Sequence, residues 1–168
     1  MAKIYLDGKG YEQYESEITT IKAQIIATQK EKSEAAGQAH DWHDNAGFEY
    51  AVQEETKLRQ QLQILIGKKK DIEIIERGEN RNIADIGDIV NAEVEYAPDD
   101  IEISNFHLTG NYAINTNMFD DPMEVSLNSP IGSAIYQKGV GSKFSYDVGN
   151  NKVTGTIKSI EELKDASK

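Results

Sequence analysis

The sequence predicts an α+β protein in two parts, an antiparallel coiled-coil hairpin over residues 1–77 and a small antiparallel β-sheet domain with one short helix over residues 78–168. Three observations carry that expectation. Apolar residues recur at alternating steps of three and four in the first part. The period falls to two beyond residue 88. Between the two regimes lies Arg77-Gly78-Glu79-Asn80-Arg81-Asn82, without an apolar side chain.

In the first part Tyr11, Tyr14, Ile18, Ile21 and Ile25 fall on one helical stripe. The stripe weakens through Thr28, Lys32 and Ala35, and the small or polar run Ala36-Gly37-Gln38-Ala39 suits a turn. A second seam follows through Ala51, Glu55, Leu58, Leu62, Leu65, Lys69 and Ile72. Each helix would span about 30 residues, or about 45 Å. A connection this short returns the second helix antiparallel to the first. The polar seam positions near the turn have two readings: coiled-coil ends that fray, or a tip that trades stability for access. Gly78 is the expected stop of the second helix.

In the second part, short runs read as strands: Ile89–Tyr96, Ile101–Ile103, Val125–Leu127, Lys143–Val148 and Lys152–Ile157. Gly149-Asn150-Asn151 is a hairpin turn signal. Ser129-Pro130 supplies a helix cap followed by Pro at the first helical position.

Charge and composition exclude several classes. Eighteen Lys and Arg face twenty-nine Asp and Glu, a net charge of −11, so the whole-molecule field repels phosphate and a general DNA-coating role is excluded. Most of the excess acid, −8 from seven basic and fifteen acidic residues, lies in residues 78–168. With no Cys there is no disulfide framework, thiolate metal site or thiol nucleophile. The longest apolar runs are as short as Ile64-Leu65-Ile66, against about 20 residues needed to cross a bilayer. Asp7 and Gly8 arrive before any signal-peptide apolar region could form, so the expected location is the cytoplasm, with no membrane partner.

Two segments carry chemistry. Around the expected turn stands Asp41-Trp42-His43-Asp44-Asn45-Ala46-Gly47-Phe48. Asp41 and Asp44 are three apart, which on a helical turn puts their Cβ atoms about 5–6 Å from each other on one side. Locally, Asp41 reads as a helix N-cap with Asp44 near the positive end of the helix dipole; alternatively the pair presents carboxylates for a metal or a water. Trp42 is the only Trp, and on a narrow tip it either folds over the turn or touches a partner. His40 and His43 add imidazoles, but ligands this close in sequence rarely close a tetrahedron. The second segment is Val125-Ser126-Leu127-Asn128-Ser129-Pro130-Ile131-Gly132-Ser133-Ala134-Ile135.

In this order the two segments resemble the bacterial GreA/GreB family of transcript-cleavage elongation factors. That family's tip has an acid, an apolar residue, any residue, an acid, then Asn-Ala and an aromatic two residues on; its C-terminal signature is Ser-x-x-Ser-Pro followed by a small-residue helix. The resemblance covers essentially the whole chain and implies an FKBP-like C-terminal domain. It also implies a partner, bacterial RNA polymerase, whose secondary channel the coiled coil enters to stimulate intrinsic cleavage of backtracked RNA. The chain would be no enzyme alone and would act as a monomer. It would need no cofactor of its own beyond Mg2+ shared within the polymerase active site, held by Asp41 and Asp44. Two-metal hydrolysis needs hard oxygen ligands for a second Mg2+, and one or two protein carboxylates suffice. By the same resemblance Trp42, Asn45 and Phe48 are tip contacts, and Asn128, Ser129 and Pro130 dock on the polymerase. Lys30, Lys32, Lys57 and Arg59 would lie near the RNA 3′ end, although interleaved Glu31, Glu34, Glu54 and Glu55 equally describe a solvated, salt-bridged rod.

Three tip positions depart from the family pattern: Asp44 stands where Glu is usual, His40 where Gly is usual, and Gly47 where Glu is usual. Members with altered acidic tips inhibit polymerase instead of rescuing it. A channel-binding inhibitor is therefore the alternative. Prolyl isomerase activity is not expected, because residues 78–168 contain no Trp to floor an apolar pocket.

Overall fold

The computed structural model describes residues 3–38, 46–113 and 120–162. The chain divides into two compact units, one of residues 14–72 and the other of residues 1–13 with 73–168.

The first unit is the helical hairpin. Helix α1 (Gly8–Gln38) starts in the other unit and runs into this one, followed by α2 (Ala46–Lys68). Their direction is fixed by cross-helix bonds. Tyr14 Oη donates to the Leu65 carbonyl at 2.8 Å, while Gln29 and Lys32 meet Glu55, so positions late in one helix face positions early in the other. The expected seam is the buried one: Tyr14, Ile18, Ile21 and Ile25 from α1, and Ala51 and Leu65 from α2. Helix α2 ends at Lys68, a 3₁₀ turn covers Lys69–Asp71, and β2 (Ile72–Ile74) follows. Ile72, the last position of the second seam, is therefore extended and not helical. The β-branched Ile72, Ile74 and Ile75 favour that conformation, and Ile75 N–H donates to the Leu6 carbonyl at 2.8 Å.

The other unit begins with β1 (Ile4–Leu6), which forms a two-stranded ribbon with β2. The boundary expected at 77/78 is drawn differently by the structure. The first residues belong with the sheet because Asp7 N–H donates to Gly110 O and because Asn128 grips Tyr5. Arg77 and Gly78 belong there too. Arg77 Nη2 donates to Asp88 Oδ1 at 2.5 Å, Arg77 Nη1 to the Ile86 carbonyl, and Gly78 N–H to Asp85 Oδ2.

The five-stranded sheet has the order β5-β4-β3-β7-β6, from β3 (Asp88–Ala97), β4 (Asp100–Thr109), β5 (Met123–Ser126), β6 (Lys143–Val148) and β7 (Asn151–Glu162). Its pairs are antiparallel apart from β4 with β5, which run parallel. The expected all-antiparallel sheet is thus modified at one edge. The connection from Thr109 to Met123 is long enough for the crossover that a parallel pair requires. Alternation places Val90, Ala92, Val94, Phe106, Leu108, Val153 and Ile157 on one face, where they form the core with Phe144 and with Ile135 of α3 (Pro130–Ile135). Burying these side chains contributes about 1.5–3 kcal/mol for each large one. Among the described residues no helix is long and apolar enough to cross a membrane.

Candidate functional site

Near the turn end of the hairpin the seam turns polar. Glu55 occupies a seam position and is covered, yet its carboxylate is fully engaged. It accepts from Lys32 Nζ at 2.5 Å, from Arg59 Nη2 at 2.8 Å and Nε at 2.9 Å, and from Gln29 Nε2 at 3.0 Å. These bonds, the one from Lys32 first, pull the Glu55 pKa down to about 2. Thr28 continues the polar layer on α1. A covered carboxylate with donors on two helices rewards one register, since a one-turn shift removes Gln29 and Lys32 and leaves Arg59, on its own helix, as the remaining partner.

This layer sorts the four cations expected near RNA. Lys32 and Arg59 are brought together on Glu55, one from each helix. Lys30 and Lys57 are not. They lie 3.8 Å from Glu34 and 3.6 Å from Glu54 on their own helices, exposed pairs worth a few tenths of a kcal/mol. All four therefore have an acidic neighbour within 4 Å. The expected tip residues Asp41, Trp42, Asp44 and Asn45, with His40 and His43, lie outside the described residues. Phe48 sits in the first turn of α2, at the margin of exposure.

In the sheet unit, Asn128, Ser129 and Pro130 stand together at the start of α3, each held by the local chain. Ser129 is the N-cap expected from sequence: its Oγ accepts from Gly132 N–H at 3.0 Å and donates to the Ser126 carbonyl at 2.6 Å. Pro130 occupies the first turn, where its missing N–H costs nothing. Gly132 is needed because a Cβ there would lie 1.9 Å from Ser126 O. Asn128 has a role that the sequence did not disclose. Its Oδ1 accepts from Tyr5 N–H and its Nδ2 donates to the Tyr5 carbonyl, both at 2.8 Å, so the side-chain amide imitates a neighbouring strand. Of the three, Pro130 alone has its ring exposed without one of these side-chain hydrogen bonds.

No family model and no curated protein matches the chain. Among solved structures, the chain is similar to the GreA factor homolog 1 (Gfh1) of Thermus thermophilus, at 24% identity and a TM-score of 0.41 over 95% of this chain and 99% of that one. Gfh1 of Thermus aquaticus follows at 22% and 0.42, over 96% and 99%. The prokaryotic transcription elongation factor GreA/GreB from Nitrosomonas europaea follows at 12% and 0.39, over 96% and 99%. At these values the likeness assigns no role to any residue.

Proposed function

We propose that this protein is a Gre-like factor for bacterial RNA polymerase, entering the secondary channel with its helical hairpin and stimulating the polymerase's intrinsic cleavage of backtracked RNA. The observation that carries the reading is where the tip motif falls in the chain. Residues 39–45, with Asp41, Asp44 and Asn45, are the connection between two antiparallel helices, and the Ser-Pro motif caps a helix in a separate sheet unit. A narrow hairpin delivers two carboxylates into a channel that a globular domain would not enter. Asp41 and Asp44 are hard oxygen donors of the kind Mg2+ takes, and the metal is the polymerase's own. The chain contributes ligands and water positioning and is no nuclease by itself.

The rest of the reading follows from this. Lys32 and Arg59, held on Glu55, face backtracked RNA as part of a fixed polar layer, with Lys30 and Lys57 beside them. Pro130 contacts the polymerase, and the factor works as a cytoplasmic monomer. The departures at His40, Asp44 and Gly47 favour a second reading, an inhibitor that occupies the same channel without promoting cleavage. Addition of the protein to a stalled, backtracked elongation complex separates the two. Release of short 3′ fragments supports the cleavage factor; slowed synthesis without fragments supports the inhibitor. No effect on either, with no binding to polymerase, rejects both.

A further inference from the structure

A cleft of about 560 Å3 opens on the outer face of the sheet, the face turned away from the core. Strand register lays that face out in columns. One row reads Ile103, Glu93, Thr156 and Lys143 from β4 through β3 and β7 to β6, and the next reads Ile101, Glu95, Thr154 and Ser145. The β4 column is thus aliphatic, the β3 column acidic and the β7 column hydroxyl-bearing, while β6 opens with a cation. Lys152, near the start of β7, and Lys138, between α3 and β6, line the same cleft.

Cations are concentrated here. Residues 78–168 hold seven basic side chains against fifteen acidic ones, yet three of the seven line this one cleft. Lys138 is half-buried, and its ammonium donates to the Lys143 carbonyl at 3.2 Å. Among the described residues no carboxylate lies within 4 Å of the Lys138, Lys143 or Lys152 ammonium, not even that of Asp147, which faces Lys152 across the β6–β7 ladder. The acids of the β3 column have other partners: Glu93 is 2.9 Å from Lys158, and Glu95 accepts from Thr154 Oγ1 at 3.4 Å. That column stands two strands from β6, about 9.5 Å away. The net charge of −11 opposes anions at long range, but salt screens it beyond about 8 Å, so the local cations decide what binds.

Three ammoniums without carboxylates call for an oxyanion of more than one negative charge, which phosphate groups supply. A nucleic-acid strand fits poorly, because a continuous run of phosphates across the cleft meets the acidic column. A compact ligand avoids that clash by keeping its phosphates over Lys138, Lys143 and Lys152 and turning neutral hydroxyl donors towards Glu95. The cleft also falls within the range of small-ligand sites, about 300–1,000 Å3. We infer that it binds a nucleoside diphosphate. The diphosphate lies against the three lysines with the Ser145 and Thr156 hydroxyls as further donors, and the ribose hydroxyls donate to Glu95. The site belongs to the sheet unit alone and does not depend on what the hairpin does.

The test titrates the full-length 15N-labelled protein with ADP, GDP, inorganic pyrophosphate and adenosine. Amide shifts at Lys138, Lys143, Lys152 and Thr156 are expected with at least one of the two nucleotides, and Lys138→Gln and Lys143→Gln should each lower its affinity by about tenfold or more. Glu95→Gln separates the two halves of the site: it should weaken the nucleotide by about fivefold and tighten pyrophosphate, which gains from the lost negative charge. These side chains lie outside the core, so each variant should melt with the wild type. Several results would overturn the inference: no shift at about 1 mM of either nucleotide, unchanged affinity in both lysine variants, adenosine binding as tightly as ADP, or Glu95→Gln acting alike on nucleotide and pyrophosphate. Shifts centred on Lys68-Lys69-Lys70, the densest run of cations in the chain, would also overturn it, by showing indiscriminate attraction of polyanions.

Discussion

Replacing Arg77 by Met should destabilise the sheet unit by about 2–4 kcal/mol. Asp88 is 1% exposed and accepts from Arg77 Nη2 at 2.5 Å and from Asp85 N–H at 2.9 Å. Without Arg77, a carboxylate sealed from water keeps the backbone donor and loses its countercharge, a change that costs about 3–5 kcal/mol in buried pairs. One feature works in the other direction. Arg77 Nε is buried with no hydrogen-bond partner among the described residues, and removing such an orphan returns about 1 kcal/mol. Met keeps most of the side chain's methylene contact, so packing changes little.

For a unit of about 110 residues each kcal/mol moves the melting midpoint by about 4–8 °C, so the transition should fall by about 8–30 °C. Near-UV circular dichroism is the assay, because Tyr5, Tyr11, Tyr96, Tyr112, Tyr136 and Tyr146, six of the eight tyrosines, lie in this unit while the single Trp lies in the other. Adding Asp88→Asn to Arg77→Met removes the stranded charge and should recover more than half of the loss, a coupling that a double-mutant cycle reads directly. A loss under 1 kcal/mol for Arg77→Met, or a double variant as unstable as the single one, would refute the buried-pair reasoning.

Asp44→Glu should raise transcript cleavage and Asp41→Asn should abolish it, both with polymerase affinity unchanged, because Asp44 stops about one C–C bond short of a Glu and a misplacement of about 1 Å can cost a hundredfold in rate; fragment release and binding are measured side by side. Glu55 has its pKa lowered from 4.5 to about 2, so its contribution to the hairpin is complete above pH 4.5 and lost as pH falls towards 2; Glu55→Gln should remove that acid dependence from the 222 nm dichroism titration. Gly132→Ala should destabilise the α3 corner by more than 1 kcal/mol, since its Cβ would meet a backbone oxygen, with the loss read in urea unfolding of the tyrosine signal. Pro130→Ala should weaken polymerase binding with amide exchange unchanged. Asn128→Ala, by contrast, should first expose the Tyr5 amide to exchange, because its side chain holds β1.

The hairpin was legible because its seam obeys one local rule: Tyr14, Ile18, Ile21 and Ile25 are spaced for a helix and are buried on one. Glu55 was not legible as a covered residue, since a lone Glu on a seam looks like a fraying end. The signal existed in the register. Once position 32 faces position 55, Gln29 and Lys32 on one helix and Arg59 one turn along the other converge on it. Strands β1 and β2 are three residues each and pair across the whole hairpin, so no local period announces them. The parallel β4–β5 pair was hidden for a related reason: alternation shows which face a residue takes, not which way its neighbour runs.

The two motifs differ in what they can prove. Ser129 caps α3, Gly132 allows the helix to approach Ser126, and Asn128 pairs with Tyr5, so folding alone accounts for most of the second motif. A chain that had lost every polymerase contact would still need those residues to close this corner. Asp41 and Asp44 carry the opposite weight. A helix start needs at most one capping acid, and a second acid three residues on adds only a helix-dipole contribution of about 0.3–1 kcal/mol. The functional proposal therefore stands or falls at the tip, and the Asp41 and Asp44 variants test it more sharply than any change at Asn128 or Ser129.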